Sequence, residues 1–355
     1  MLSLRLLGAV MVLSLLQFKL STCRSPGEGG KGPGSGDSGS LVELPGVDTA
    51  QLTSREKHDW SSAVSELLAP CADQAVSLAQ CVKEARPCKA CTPGAQFLAR
   101  HVRKGKTRAQ LDAAYKKRFA ADQVKEIPIA GSPTKGPDDA VVTIIEFADF
   151  ECPGCGKAHP VIAKLLAKYP SHIRLVFKNY PLSIHKHAEK AARAALAAGR
   201  QGKFWEMHAR LFEMQPNPPD DAALEKLAKE LGLDMKKFAD DVASEAIADE
   251  VSRDRKHGDA VDLESTPLLF INGRHYDLDH FDFAEDLDDW IALELELKTG
   301  KKVEPKAVKD DGPGEKPVVE KDIKPPASAV PAPSAAPPPS GNATRAKTDP
   351  SAKGK

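Results

Sequence analysis

Apolar positions follow two rhythms along this chain, and the change from one to the other falls near residue 150. Val141-Val142-Thr143-Ile144-Ile145-Glu146-Phe147-Ala148-Asp149-Phe150 is β-branched and aromatic almost throughout, which predicts a strand buried on both faces. Just beyond it, Val161, Ile162, Leu165, Leu166 and Tyr169 recur at the spacing of one helical face. A second strand is predicted over Ile173-Arg174-Leu175-Val176-Phe177-Lys178. Helical patterns then dominate: His187 to Gly199, which is Ala-rich, Lys203 to Met214, Ala222 to Leu231, and Met235 to His257. Ser265-Thr266-Pro267-Leu268-Leu269-Phe270-Ile271-Asn272-Gly273-Arg274 reads as a strand ending in an Asn-Gly hairpin turn, with a last helix from about Phe281 to Leu297. The order βα–β–helices–ββ–α predicts an α/β thioredoxin fold with a helical insertion over residues 126–300.

Residues 49–125 carry a different pattern. Ala75, Leu78, Ala79 and Val82 predict a helix, Ala95, Leu98, Ala99 and Val102 a second, and Leu111, Ala114 and Tyr115 a third. So few large apolar residues make a thin core, which needs covalent staples. Cys71, Cys81, Cys88 and Cys91 supply them as two structural disulfides, with three connectivities open. Cys88-Lys89-Ala90-Cys91 also fits a second redox pair. A zinc site is the remaining reading, although the spacing gives one ligand pair of the usual two.

The ends are polar or biased. Arg5 followed by the apolar run Leu6 to Phe18 predicts an export signal over residues 1–23, too short to span a bilayer. Leu20-Ser21-Thr22-Cys23 predicts lipidation at Cys23, and ordinary secretion is the alternative. Either places the protein in the cell envelope, where disulfides persist. Residues 24–48 include a Gly/Ser-rich run and predict a flexible tether; residues 301–355 predict a disordered Pro/Ala/Lys-rich tail. Lys plus Arg and Asp plus Glu are both 50, and that zero balance argues against a nucleic-acid-binding protein.

The chemistry sits where strand meets helix. In Cys152-Pro153-Gly154-Cys155, Pro153 takes the first helical position and Cys152 the N-cap. The positive end of the helix favours a thiolate there, and the thiolate is the reactive form. Two Cys separated by two residues at such a turn predict a dithiol/disulfide site. Glu146 interrupts the apolar strand, either as a buried carboxylate with a task or as an edge residue facing water. Lys178 is expected to face solvent, with a pairing to Glu146 as the alternative. His159 offers a third ligand should the two thiols hold a metal, but no fourth is evident.

With these motifs placed, residues 126–300 resemble the DsbA-like thioredoxin-fold proteins, the exported thiol–disulfide oxidoreductases. The resemblance rests on Glu146 to Cys155, Pro181-Leu182-Ser183-Ile184-His185, Gln201-Gly202-Lys203-Phe204-Trp205 and Thr266 to Gly273. It implies that Cys152 is the nucleophile and Cys155 the resolving thiol. Thr266-Pro267 becomes the cis-proline loop whose backbone pairs with substrate, and Glu146 the buried acid that relays protons. His185 and Trp205 match family positions and are expected to serve packing. No cofactor or metal is implied. The implied partners are exported proteins with thiols or disulfides and a membrane redox partner of the DsbB, VKOR or DsbD kind. The Pro-Gly dipeptide lacks the His of strongly oxidising members, which leaves the direction of electron flow open. The competing expectation is a non-catalytic thioredoxin-like binding module or redox-gated chaperone.

Overall fold

The computed structural model describes residues 41–215 and 217–308. The export segment, Cys23 and nearly all of the tail lie outside the described residues. Among those described, no helix is long and apolar enough to cross a membrane.

The described residues begin with four helices: α1 (Ser54–Glu66), α2 (Leu78–Lys83), α3 (Cys91–Arg103) and α4 (Arg108–Phe119). The expected patterns fall on α2, α3 and α4. The polar sequence of α1 hid it, since Trp60, Ser61, Ala63 and Val64 alone are buried. Its start carries the signal: Thr53 accepts from the Glu56 N–H while the Glu56 carboxylate accepts from the Thr53 N–H. Thr107 and Gln110 form the same reciprocal cap on α4. Disulfides join Cys71 to Cys88 and Cys81 to Cys91, so the two sulfurs of Cys88-Lys89-Ala90-Cys91 belong to different bridges.

The sheet has the order β1-β3-β2-β4-β5, made of β1 (Thr134–Lys135), β2 (Val142–Ala148), β3 (Ile173–Asn179), β4 (Leu268–Ile271) and β5 (Arg274–Tyr276). Only β2 and β3 run parallel, joined by α5 (Pro153–Lys168); the other pairs are antiparallel. β4 turns into β5 through Asn272 and Gly273, both at positive φ, as a two-residue hairpin with matching twist requires. Between β3 and β4 lie α6 (Ala188–Gly199), α7 (Phe204–Glu213), α8 (Asp221–Glu230), α9 (Met235–Ala243) and α10 (Glu245–Asp259). The single pattern expected from Met235 to His257 is two helices. Ser244 is extended, and its hydroxyl accepts from the Ile247 N–H, ending α9 and capping α10. The last helix, α11 (Leu287–Thr299), starts later than expected, because the Asp282 carboxylate holds the Ala284 and Glu285 N–H groups in a turn.

Three apolar clusters hold these parts. The first runs without a break from Trp60, Leu78, Leu98 and Phe119 into Ile144, Ile162, Tyr276 and Trp290, so the helical region and the sheet share one core. The second joins Phe150 and Phe177 to the insertion through Phe204, Met207 and Leu211. In it α6 buries Ala191, Ala192, Ala194, Ala195, Ala197 and Ala198, small side chains that let neighbouring helices approach closely. The third, Ile145, Phe147, Val176 and Phe270, covers the other sheet face. Packing also extends past the expected tether and tail limits: Leu44 joins the first core, and the Lys306 N–H bonds the Lys168 carbonyl.

Candidate functional site

β2 delivers the chain to a turn built by Asp149. This carboxylate is buried; Oδ1 accepts from the Glu151 N–H at 2.7 Å, and Oδ2 accepts from the Leu182 N–H at 2.8 Å and meets His185 Nδ1 at 2.7 Å. Asp149 thus ties the Pro181–His185 loop to the strand end that carries the cysteines. His185 holds that loop by a hydrogen bond, beyond the packing role expected for it.

Cys152 is the extended N-cap of α5 with Pro153 as first helical residue, as its sequence position predicts. Its carbonyl accepts from the Gly156 N–H at 3.2 Å and from Gln215 Nε2 at 2.7 Å; the same amide nitrogen reaches the Phe150 carbonyl at 3.0 Å. Sequence reasoning missed Gln215, which lies 63 residues downstream in a loop with no motif. Gly156 is the trace it left: a Cβ there would stand 1.9 Å from Gln215 Oε1.

The Thr266–Pro267 bond is cis, and Cys152 Sγ lies 3.1 Å from the Thr266 carbonyl oxygen. Gly154 fits against this loop, since a Cβ would sit 3.0 Å from Pro267 Cδ. Cys152, Cys155, Thr266 and Pro267 therefore meet at one point. Both cysteines are free thiols; Cys152 is 8% exposed and Cys155 is sealed.

Their acidities diverge. The Cys155 thiol donates to Cys152 and, against the cost of burial, the Cys155 and Gly154 N–H groups add to it; the Cys152 pKa drops to about 5. Burial first, then the Cys152 sulfur and the Glu146 charge, push Cys155 well above the ordinary thiol range. Glu146 itself is 2% exposed, its Oε1 has no hydrogen-bond partner among the described residues, and burial raises its pKa to about 8. It faces the protein interior, not water.

One expectation needs correction. Lys178 neither faces solvent nor meets Glu146: it is fully buried, with Nζ 3.2 Å from Asp254 Oδ1 and 3.0 Å from His257 Nδ1. His159 points away from any ligand role with the thiols. Its ring stacks on Phe212 at 5.1 Å and meets His208 edge-on at 5.0 Å, and burial lowers its pKa to about 4.

A parallel β2–α5–β3 unit, a β4–β5 hairpin, and five helices inserted between them around a CxxC at a helix N-terminus define a thioredoxin fold with a helical insertion. Residues 130–291 match the family model described as Thioredoxin, and this part of the chain belongs to that fold.

Among curated proteins, the Na(+)/H(+) antiporter NhaA 3 of Salinispora tropica is 41% identical over 145 residues, 40% of this chain and 22% of that protein. The antiporter NhaA of Herminiimonas arsenicoxydans is 36% identical over 140 residues, 39% of this chain and again 22% of that protein. The chain thus spans less than a quarter of these relatives. Among solved structures, a thioredoxin-like oxidoreductase from Silicibacter pomeroyi is 26% identical, with TM-score 0.42, covering 46% of this chain and 91% of its own. Oxidised BdbD from Bacillus subtilis is 25% identical, with TM-score 0.43, covering 49% of this chain and 97% of its own.

Proposed function

We propose that the Cys152–Cys155 pair performs thiol–disulfide exchange on exported proteins in the cell envelope, and that a membrane redox partner restores its working state. One observation carries this reading: two adjacent thiols of opposite acidity, the acidic one at the helix N-terminus beside the Thr266–Pro267 loop.

In the oxidising direction, a substrate thiolate attacks Cys152 Sγ. A substrate–Cys152 bond forms, the Cys152–Cys155 bond breaks, and Cys155 leaves with the electron pair. A Cys155 thiolate is unfavourable in its buried site, so it takes a proton. Glu146, protonated below about pH 8 and near enough that its ionised form would act on Cys155, supplies it. A second substrate thiolate then attacks the substrate sulfur and expels Cys152 as a thiolate. Its low pKa makes it a fast leaving group and stabilises the dithiol product. Two electrons pass from substrate to enzyme. The extended substrate lies along Thr266 and Pro267, whose backbone is next to the reacting sulfur.

The Cys152 pKa of about 5 lies between the roughly 3.5 of DsbA and roughly 7 of thioredoxin. We infer a moderately oxidising couple, with a potential between about −270 and −120 mV. Refolding of a reduced disulfide protein and reduction of insulin, compared between the intact chain and Cys152→Ser, test the function. Loss of both activities in the variant is expected. Equal activity would leave the non-catalytic binding module as the better reading. Lipid anchoring through Cys23 belongs to the same proposal and is tested by mass spectrometry of the exported protein's N-terminus.

A further inference from the structure

The helical region holds a second sulfur cluster that thiol–disulfide exchange at Cys152 does not use. The Sγ atoms of Cys81, Cys88 and Cys91 all lie within 4.8 Å of one another although they belong to two different disulfides. Cys71 is one covalent bond from Cys88, so four sulfurs converge on one small volume. Cys81, Cys88 and Cys91 are buried, and Cys71 is half-buried in the segment leading into α2.

We propose that this cluster is a redox-interconvertible zinc site: two disulfides when oxidised, one Zn²⁺ held by the thiolates of Cys71, Cys81, Cys88 and Cys91 when reduced. Zinc takes four thiolates tetrahedrally at about 2.3 Å, which sets the sulfurs about 3.8 Å apart. Reduction frees the bonded pairs Cys71–Cys88 and Cys81–Cys91 to part to that spacing, and the Sγ atoms of Cys81, Cys88 and Cys91 already lie within 4.8 Å of one another. Cys71 moves outward, and its partial exposure leaves it room. Cys88 and Cys91 form the Cys-x-x-Cys half of the site on a tight turn, where the Cys91 N–H bonds the Cys88 carbonyl at 3.1 Å. The fold supplies the second pair that the linear spacing lacks. The complex carries two net negative charges, and Lys83 and Lys89, near its cysteines in sequence, are exposed.

Two dithiol molecules each give two electrons and two protons to one disulfide and become cyclic disulfides, leaving four cysteine thiols. Zn²⁺ then binds and four protons are released. Two oxidising disulfide molecules, each accepting two electrons and taking up two protons from solvent, reverse the sequence and eject the metal. Either state staples α2 to α3, so the thin helical core stays closed in both.

The test uses the full chain carrying Cys23→Ser, Cys152→Ser and Cys155→Ser, which removes every other thiol and makes the result independent of the proposed exchange activity. The protein is reduced with dithiothreitol, freed of it anaerobically by gel filtration, and titrated with Zn²⁺ or Co²⁺. Expected are one tightly bound metal per chain, tetrahedral cobalt d–d bands with sulfur-to-metal charge transfer, and recovery of helical circular dichroism toward that of the oxidised protein. Adding Cys88→Ser is expected to weaken zinc more than about tenfold, since even outer-shell changes cost that much. The oxidised chain is expected to bind none. Substoichiometric metal, an octahedral cobalt spectrum, or equal binding by the oxidised chain or the Cys88→Ser variant would overturn the proposal. So would a reduced chain that stays unfolded with zinc present.

Discussion

Glu146 and Lys178 are buried in adjacent parallel strands and never meet, because the register pairs Glu146 with Phe177 and sets Lys178 beside Phe147. Side chains alternate faces along a strand, so the acid points to the α5 side and the lysine to α10. Asp254 neutralises the lysine there. Glu146 is left without a counter-ion in an apolar layer, and its carboxyl stays protonated to about pH 8.

That placement fixes a pH dependence. The folded Glu146 pKa is raised from 4.5 to about 8, so the folded state holds a proton that the unfolded chain loses. Its stability is intact below about pH 4.5 and falls as pH rises through about 8, by up to about 1.4 kcal/mol per unit. Glu146→Gln removes this loss. Thermal unfolding is expected to show the variant gaining on the parent steadily between pH 4.5 and 8, while its exchange rate drops at least about tenfold for want of a proton carrier. A stability difference that does not move with pH would mean the carboxylate is already ionised.

Cys152 titrates with the opposite sign. Its folded pKa is depressed from 9.0 to about 5, so the reduced protein draws stability from it above the unfolded thiol's pKa and loses that stability as pH falls through about 5. The disulfide form lacks the group. The melting temperature of reduced relative to oxidised protein is therefore expected to climb between pH 5 and 9. Iodoacetamide modification of Cys152 should reach half its maximal rate near pH 5. Cys155→Ala, which removes the donor that contributes most to the shift, should raise that midpoint. A midpoint near 8.5 would show an ordinary thiol.

The extent to which these features were legible depends on how far along the chain the cause lies. The β2–CxxC–α5 junction and the Asn272-Gly273 hairpin are written locally, in β-branched runs, a proline at the first helical position and a turn dipeptide, and they fold as those signals say. Glu146 was recognisable because a lone carboxylate in an apolar strand has few fates. Lys178 misled because its partner, Asp254, is 76 residues away on a helix of unremarkable pattern. Gln215 and the Asp149–His185 bond were illegible for the same reason, since their meaning is set by tertiary contact. Two-residue β1 is too short to carry a period at all.

Gly154 and Gln215 brace the two sides of Cys152, and each side can be loosened alone. Gly154→Ala puts a Cβ 3.0 Å from Pro267 Cδ and 3.6 Å from Cys152 Sγ, so the Thr266–Pro267 loop must retreat. The Cys152 pKa is expected to rise and the exchange rate to fall, with little loss of global stability. Gln215→Ala removes two hydrogen bonds to the Phe150 and Cys152 carbonyls and should cost about 1–2 kcal/mol in urea unfolding. Thiol pKa and unfolding free energy, measured on both variants, should separate them. A Gly154→Ala protein with unchanged Cys152 acidity would remove the loop from the account.

Arg118 and Glu294 join the helical region to the thioredoxin domain across 176 residues of sequence. Their side chains are buried, with Nη1 2.6 Å from Oε1, while the second carboxylate oxygen accepts from Asn272 Nδ2 at 3.0 Å and the guanidinium lies 4.4 Å over Trp290. Removing one partner strands the other charge in a dry core. Arg118→Met or Glu294→Leu alone should therefore cost about 3–5 kcal/mol, while the double variant, which leaves no charge behind, should recover most of that loss. Because the core is continuous across this pair, the parent protein is expected to unfold in one transition that both Trp60 and Trp290 report. Two separate transitions in the parent, or additive losses in the double variant, would show the helical region to be only loosely attached, with the ion pair contributing nothing to the joint.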